Sequence, residues 1–397
     1  MIKYLLNQRK GDNLLKILIL TSHFGMGHYC AAEAIKEELL ASDSHDTIEI
    51  VDIVNTLFPF ICKIIYGFFN LFVCRFSKVY NFINSFATKH ENSCLKKRNL
   101  NKLNSLIKKY DPEIIISTWS ACSRYISAYK EEYKNNIPLY TYITDITVHD
   151  GWITDMADMY FVATRSTREI LISKGVNPEK IVINGIPVRQ SFKEEIQLKS
   201  TNDRPVKPFR FSDENYELPV KSLQDKKKIL IMGGGLGLIP ALDNILERLY
   251  ETGNVHITII TGKNKKLLKK LKKDYPKIEL IGYTDQVFKY MVRSDLLITK
   301  PGGISTFEAI YANTPLYIIK PFLSQEVGNA EFIEQMNIGK IAWDNNDNIS
   351  EDILSLLSND SLISNMKSNM QDLKKEISES KLKKIYERNG KKYENYS

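Results

Sequence analysis

A chain of 397 residues is too long for a single small binding module and implies about two domains of roughly 100 to 200 residues each. Its 43% hydrophobic and 26% charged residues, with only 19 Gly and 13 Pro, exclude collagenous, disordered and mucin-like classes. Lys and Arg number 55 against 47 Asp and Glu, and the formal net charge of +8 suits an anionic partner such as nucleic acid, a membrane surface or a phosphorylated substrate.

The opening stretch, MIKYLLNQRKGDNLL, has a very short apolar run and no small-residue cleavage site, so no secretory signal is expected and cytoplasmic residence follows. Ile17 to Leu20 then reads as a buried strand, followed by a glycine turn and a helix with apolar positions Ala31, Ala32, Ile35 and Leu39. In the turn, Gly25 and Gly27 let backbone approach a ligand at a helix N-terminus, where free N–H groups attract anions. A tight turn that simply needs glycine explains the same residues. His28 stands at the carboxyl end of the first strand, where open α/β sheets bind ligands, and an imidazole suits proton transfer near neutrality. A histidine that caps the turn is the structural alternative. Five cysteines, Cys30, Cys62, Cys74, Cys94 and Cys122, form no C-x-x-C pair and are expected as reduced thiols without metal.

After a short strand at Thr47 to Val51 comes an unusually apolar, aromatic stretch, Leu57 to Phe86. Leu57 to Cys74 as a helix would span about 27 Å, short of the roughly 30 Å hydrocarbon thickness. Lys63, Asn70, Cys74, Lys78, Asn81 and Ser85 form one polar stripe, so an amphipathic helix lying in the membrane interface explains both faces. From Leu57 to Arg98 seven basic residues face one acidic residue, Glu91, which favours an anionic leaflet. The membrane-binding residues expected here are Phe60, Lys63, Phe68, Phe69, Phe72, Arg75 and Lys78, with ordinary core packing as the alternative. Nucleic acid is disfavoured because the aromatics lie within aliphatic runs instead of standing as isolated stacking platforms.

Strand-like runs continue at Ile114 to Ser117, Leu139 to Thr144, Met159 to Ala163 and Ile181 to Ile183, with helices between most of them, which predicts a parallel sheet. The pattern lapses between Phe192 and Lys228 into a charged, Pro-containing connection. It restarts with Ile229 to Met232 and the loop carrying Gly233 and Gly234, then strands at Val255 to Thr261, Ile278 to Ile281, Leu296 to Thr299 and Pro315 to Lys320. After Leu296 to Thr299, Gly302 and Gly303 expose amides at a helix start that favours a diphosphate, and Ser305 adds a hydroxyl. Glu308 can accept two hydrogen bonds from a ribose diol. Gln325, Glu326 and Asn329, just past the next strand, can grip several hydroxyls of a sugar. A solvated loop and helix start would explain either segment alone. From about Ile353 the chain reads as two polar helices, the last from roughly Lys374 onward.

The sequence resembles the glycosyltransferases that include plant monogalactosyldiacylglycerol synthases and bacterial processive diacylglycerol glucosyltransferases. It is more distantly similar to the peptidoglycan enzyme that adds N-acetylglucosamine to lipid I. The resemblance runs from about Lys16 to Leu373 through Phe24-Gly25-Met26-Gly27-His28, Thr144 to His149, Asn184 to Arg189, Gly282-Tyr283, Lys300 to Gly303, Glu308, Gln325-Glu326 and Asn329. It implies an α/β chain of the GT-B class, two doubly wound Rossmann-like domains facing a cleft. The expected division is an acceptor- and membrane-binding domain at 1–197, a linker at 198–227, a UDP-sugar-binding domain at 228–373 and a charged helix at 374–397. The implied reaction is inverting transfer of a hexose from a UDP-sugar to diacylglycerol or a glycosyl-diacylglycerol by a peripheral enzyme on the inner membrane face. His28, Asp145 and His149 match the catalytic side. Gly302, Gly303, Ile304, Ser305, Glu308, Gln325, Glu326 and Asn329 match the donor side. The absence of a D-x-D pair at a strand end favours metal independence; the UDP-sugar is a substrate and no cofactor is expected. Where the family often has Pro-Gly before Gln-Glu, this chain has Leu323-Ser324. A polyprenyl-linked acceptor and a non-catalytic nucleotide-sugar-binding regulator are the competing readings.

Overall fold

The computed structural model describes residues 15–24, 26–41, 47–67, 97–192, 226–239, 242–321, 323–343 and 348–394. Gly25, Phe68, Phe69, Phe72, Arg75, Lys78 and nearly all of the expected 198–227 linker lie outside these residues.

The first sheet is built from β1 (Lys16–Thr21), β2 (Thr47–Asp52), β3 (Ile114–Ser117), β4 (Leu139–Tyr142), β5 (Met159–Val162) and β6 (Ile181–Ile183), in the order β2-β1-β3-β4-β5-β6. The second contains β7 (Lys227–Met232), β8 (Val255–Ile260), β9 (Glu279–Ile281), β10 (Leu296–Thr299), β11 (Leu316–Ile319) and β12 (Gly339–Ala342), in the order β12-β11-β10-β7-β8-β9. All pairings are parallel. Strands such as β1 and β10 are continuous apolar runs without alternation because helices cover both faces, and Leu18, Ile19, Leu297 and Ile298 have no exposed surface. In each sheet the chain leaves an interior strand, β1 or β7, in one direction and later crosses to its other side, so crevices open at the carboxyl ends of β1 and β3 and of β7 and β10. Open α/β sheets bind ligands at such switch points.

The helix α1 (Gly27–Leu40) follows β1 and buries Ala31, Ala32, Ala34, Ile35 and Leu39. After β2, the short helix α2 (Ile53–Leu57) is capped by Asp52, whose side chain accepts from the N–H groups of Val54 and Asn55. The single helix expected from Leu57 is interrupted at once. Phe58, which precedes Pro59, adopts φ −131° and ψ 55°, because proline disfavours a helical residue before it, and helix resumes only at 62–67. The rest of the first domain's helices are α3 (Lys97–Tyr110), α4 (Ser120–Tyr133) and α5 (Arg165–Ser173). The second domain carries α6 (Leu242–Thr252), α7 (Lys265–Asp274), α8 (Val287–Met291), α9 (Gly303–Ala312), α10 (Ser324–Gln335) and α11 (Ile349–Ser358).

The expected boundary at 374 falls inside one continuous helix, α12 (Asp360–Glu394), which starts in the second domain and returns to the first. Met366 joins the core of the second domain, and Met370 and Ile377 join an apolar cluster that takes Ala163, Ile186, Val188 and Phe192 from the first domain and Leu297, Phe307 and Ile310 from the second. Glu376 adds an ion pair to Arg165 at 3.2 Å. This shared core and the close approach of loops hold the domains together. A Cβ on Gly303 would lie 2.5 Å from the Thr144 carbonyl oxygen, and one on Gly328 2.3 Å from Thr147 Cγ2, so only glycine admits this seam.

Candidate functional site

Both switch points open into one cleft of about 360 Å³ between the domains. The first domain contributes Gly27, His28, Trp119, Thr144, Asp145 and His149, and the second contributes Gly233, Gly234, Lys300, Gly302, Gly303, Ile304, Ser305, Gln325, Glu326 and Asn329. Glu308 stands outside this lining.

His28 begins α1, and its Nδ1 lies 3.0 Å from the Thr118 carbonyl oxygen and 2.8 Å from Thr144 Oγ1. A carbonyl can only accept, so Nδ1 carries the proton and Nε2 keeps the basic lone pair. Burial lowers the imidazole's pKa to about 4, with the Thr118 carbonyl opposing and His149 adding to the shift, so the ring is neutral at pH 7. His149 has the opposite polarity: its Nδ1 accepts from the Gly151 N–H at 3.2 Å, which leaves the proton of the neutral ring on Nε2. Desolvation lowers its pKa although it stands at the exposed edge of the cleft, with Asp150 acting against the shift. The cleft thus offers one imidazole as an acceptor of protons and another as a hydrogen-bond donor. Asp145 is buried and accepts from Trp152 Nε1 at 3.1 Å; burial raises its pKa to about 6 and the indole hydrogen bond opposes this. Phe24 packs against Trp119 at 5.1 Å and edge-on to Tyr66 at 4.8 Å, which makes this wall partly aromatic. The Tyr66 hydroxyl donates to Asp52, accepts the His23 N–H at 3.1 Å, and so ties the 62–67 helix to the loop that presents His28.

On the opposite wall α9 starts at Gly303, and its first intrahelical bond joins the Thr306 N–H to the Gly302 carbonyl at 2.9 Å. The N–H groups of Gly303, Ile304 and Ser305 therefore have no intrahelical acceptor and form an anion site with the helix dipole. Gly302 does not share this role, because its N–H turns back to the Lys300 carbonyl at 2.8 Å. Lys300 Nζ lies 3.3 Å from Glu326 Oε1, and Glu326 is 3% exposed with Oε2 lacking any hydrogen-bond partner among the described residues. A buried carboxylate oxygen without a donor is costly, and a ligand hydroxyl would satisfy it. Asn329 also reaches the cleft, but both ends of its amide bond protein: Oδ1 accepts from Ile146 N–H at 3.3 Å and Nδ2 donates to the Pro301 carbonyl at 2.9 Å. It thereby clamps the domain seam from within the lining of the cleft. Gly233 and Gly234 hold their own loop closed through the Leu238 N–H and Gly237 N–H, and Gly234 has φ +66°.

Glu308 sits one turn into α9, where burial raises its pKa to about 7 and Arg189 acts against the rise. Arg189 also bonds Glu33 at 3.1 Å and the Asp285 carbonyl at 3.3 Å, so Glu308 belongs to the seam between α1 and the second domain. An acid whose folded pKa is raised destabilises the fold as pH climbs from its unfolded value of about 4.5 through 7. Glu308→Gln is therefore expected to stabilise the protein by about 1–3 kcal/mol at pH 8 and by almost nothing at pH 4. Thermal unfolding at the two pH values checks this, and an equal midpoint shift at both would contradict it.

Lys300, Arg124, Trp119 and Thr144 carry no strong signal alone, yet all four line the cleft. Lys300, Trp119 and Thr144 follow strand ends, and Lys300 and Thr144 open motifs of the resemblance, whereas Arg124 lies within α4 with no local mark in the sequence.

Residues 28–188 match the family model for monogalactosyldiacylglycerol (MGDG) synthase, and residues 228–385 match the glycosyltransferase family 28 C-terminal domain. The chain is 30% identical over 368 residues to a processive diacylglycerol beta-glucosyltransferase of Staphylococcus carnosus, covering 90% of this chain and 89% of that protein. It is 28% identical over 372 residues to the protein of the same description from Bacillus subtilis, covering 90% and 91%. Among solved structures, spinosyn rhamnosyltransferase SpnG aligns with a TM-score of 0.56 at 14% identity, covering 92% of this chain and 96% of that one. MurG of Acinetobacter baumannii aligns at 0.51 and 11%, covering 93% and 99%. These likenesses show that the fold is that of the GT-B glycosyltransferases.

Proposed function

The chain belongs to the family of the MGDG synthases and processive diacylglycerol glucosyltransferases, and from that premise we propose that it transfers a hexose from a UDP-sugar to the hydroxyl of diacylglycerol or a glycosyl-diacylglycerol, with inversion at the anomeric carbon. The relatives' description favours glucose. The observation that carries the reading is the division of one cleft into a wall with a neutral, oriented imidazole and aromatic side chains and a wall with an open helix N-terminus beside Lys300.

In this reaction the acceptor hydroxyl gives its proton to His28 Nε2 as its oxygen bonds the anomeric carbon, while the bond from that carbon to the diphosphate breaks and UDP leaves from the opposite face. The Thr118 carbonyl holds the tautomer and stabilises the imidazolium that forms. The nearby diphosphate raises the affinity of this imidazole for a proton, which compensates for the lowering of its pKa by burial. His149 donates from Nε2, and Asp145, held by Trp152, orients the reacting groups. The N–H groups of Gly303, Ile304 and Ser305, with the Lys300 ammonium, take up the charge that develops on the diphosphate. Glu326 Oε2 and Gln325 receive sugar hydroxyls, and Glu308 receives the ribose when donor binding opens the seam beside Arg189.

The acceptor reaches this cleft from a membrane. Phe60 is 96% exposed, and Ile61 is exposed beside it, at the start of the 62–67 helix that Tyr66 ties to the catalytic loop and on which Lys63 and Ile64 are also exposed. Among the described residues no helix is long and apolar enough to cross a membrane. These side chains suit insertion into the interface of the cytoplasmic leaflet.

The linkage of the product tests the mechanism. Proton NMR of the glycolipid made from an α-linked UDP-hexose is expected to show the large anomeric coupling of a β-glycoside, with the rate unchanged by EDTA. An α-linked product would contradict direct displacement, and loss of activity in EDTA would contradict diphosphate stabilisation by protein groups alone.

A further inference from the structure

The helix α7 carries Lys265, Lys266, Lys269, Lys270, Lys272 and Lys273 against one acid, Asp274, within ten residues. All six lysines are exposed, as are the flanking Lys263 and Lys277. The apolar positions explain only the inner face: Leu271 is fully buried and Leu267 packs against the core of the second domain. On the outer face lysines follow one another at steps of three and four, where like charges repel by a few tenths of a kcal/mol per pair, as do Lys265 with Lys269 and Lys269 with Lys272 and Lys273. Lys270 pairs with Asp243 at 2.8 Å, whereas among the described residues the other five have no acidic partner.

This helix is fastened to the cleft. Asn264 caps it by accepting the Leu267 N–H at 3.0 Å and donates to the Gly237 carbonyl at 3.4 Å. The Lys263 N–H donates to the Gly235 carbonyl at 3.0 Å, and Gly235 lines the cleft. Its ammonium lies 5.4 Å from the ring centre of the exposed Tyr283. The first domain's exposed apolar group, Phe60, Ile61 and Ile64, is linked to the cleft through Tyr66 and Phe24. Each domain thus connects an exposed surface suited to a bilayer to the wall it contributes.

We infer that α7 is a second membrane-docking surface, in which Lys265, Lys266, Lys269, Lys272 and Lys273 bind the headgroups of an anionic bilayer while the Phe60 segment inserts from the other domain. Two contacts on one chain, one from each packed domain, act as a bivalent attachment, so each raises the effective concentration of the other at the membrane. The mutual repulsion along α7 is relieved by lipid phosphates, and binding weakens with salt. The inference rests on the reading that the acceptor is a membrane lipid, but binding is measured without turnover, so the two can fail separately.

The test replaces Lys265, Lys266, Lys269, Lys272 and Lys273 of the full chain with Gln and measures cosedimentation with phosphatidylcholine vesicles with and without phosphatidylglycerol. Far-UV circular dichroism and turnover with a water-soluble short-chain diacylglycerol serve as controls. Affinity for the phosphatidylglycerol vesicles is expected to fall at least about tenfold, with the difference shrinking as salt rises, while turnover on the soluble acceptor is retained. Unchanged affinity would overturn the inference, as would an equal loss on phosphatidylcholine alone. If the quintuple variant misfolds, Lys269→Glu with Lys273→Glu provides the same comparison, and wild-type affinity in that folded variant would likewise overturn it. Loss of RNA binding with vesicle binding intact would assign the helix to a nucleic acid instead.

Discussion

Replacing His28 with alanine is expected to lower kcat by about 10²–10⁴-fold while leaving the KM for the UDP-sugar within about twofold, the range for loss of a positioned general base. The expectation rests on geometry first. His28 Nδ1 faces the Thr118 carbonyl at 3.0 Å, so the base is Nε2, and the ring lines the acceptor wall of the cleft. It rests also on charge state: burial holds the pKa at about 4, so the free enzyme has an unprotonated imidazole throughout the neutral range. The acid limb of kcat/KM that belongs to His28 should therefore lie near pH 4, not near the 6.5 usual for histidine, and be missing from the alanine variant. Initial rates from pH 3.5 to 8, with folding monitored in parallel, check both statements. A variant with the kcat of the parent would remove His28 from the chemistry.

Replacing Lys300 with methionine is expected to cost at least about 10²-fold in kcat and also to raise the KM for the donor, because electrostatic groups aimed at a developing charge act mostly in the transition state. The single variant is ambiguous by itself. Glu326 is 5% exposed by side chain and would lose the ammonium 3.3 Å away, and removal of one partner of a buried pair commonly costs about 3–5 kcal/mol. Lys300 is 27% exposed, so some of this cost is screened. The Lys300→Met, Glu326→Gln double variant removes the orphaned charge. It is expected to recover most of the thermal stability but little of the activity. If activity returns with stability, Lys300 serves only to neutralise Glu326 and the diphosphate is held by the helix amides alone.

Much of this architecture was legible because its signals are local. A strand buried on both faces is a continuous apolar run, as Ile17 to Leu20 and Leu296 to Ile298 are, and a strand end followed by glycine marks a ligand-binding loop. What escaped depends on contacts between distant segments. The helix starting at Asp360 reads as largely charged past 374, and the packing of Ile377 beside Gly185 and the Glu376–Arg165 ion pair reveal that it recrosses to the first domain. Asn329 has the residue type of a sugar ligand, and its hydrogen bonds to Ile146 and Pro301 across the seam are a further role that no spacing rule reports. Gly302 has the residue type of a phosphate-binding glycine, yet the turn directs its N–H to Lys300 and leaves the anion site one residue later. Pro59 is the opposite case: a local signal that ends the helix at Leu57 and was outweighed by the apolar periodicity around it.

The central claim is that this cleft joins a UDP-hexose to diacylglycerol. It is tested most directly by incubating the purified chain with diacylglycerol in anionic vesicles and, separately, with UDP-glucose, UDP-galactose and UDP-N-acetylglucosamine, then identifying the lipid products by mass spectrometry. The account predicts hexosyl-diacylglycerol with UDP-glucose, absent in the His28→Ala variant at equal time. Tight binding of UDP with no glycosylated diacylglycerol from any of the three donors would contradict it.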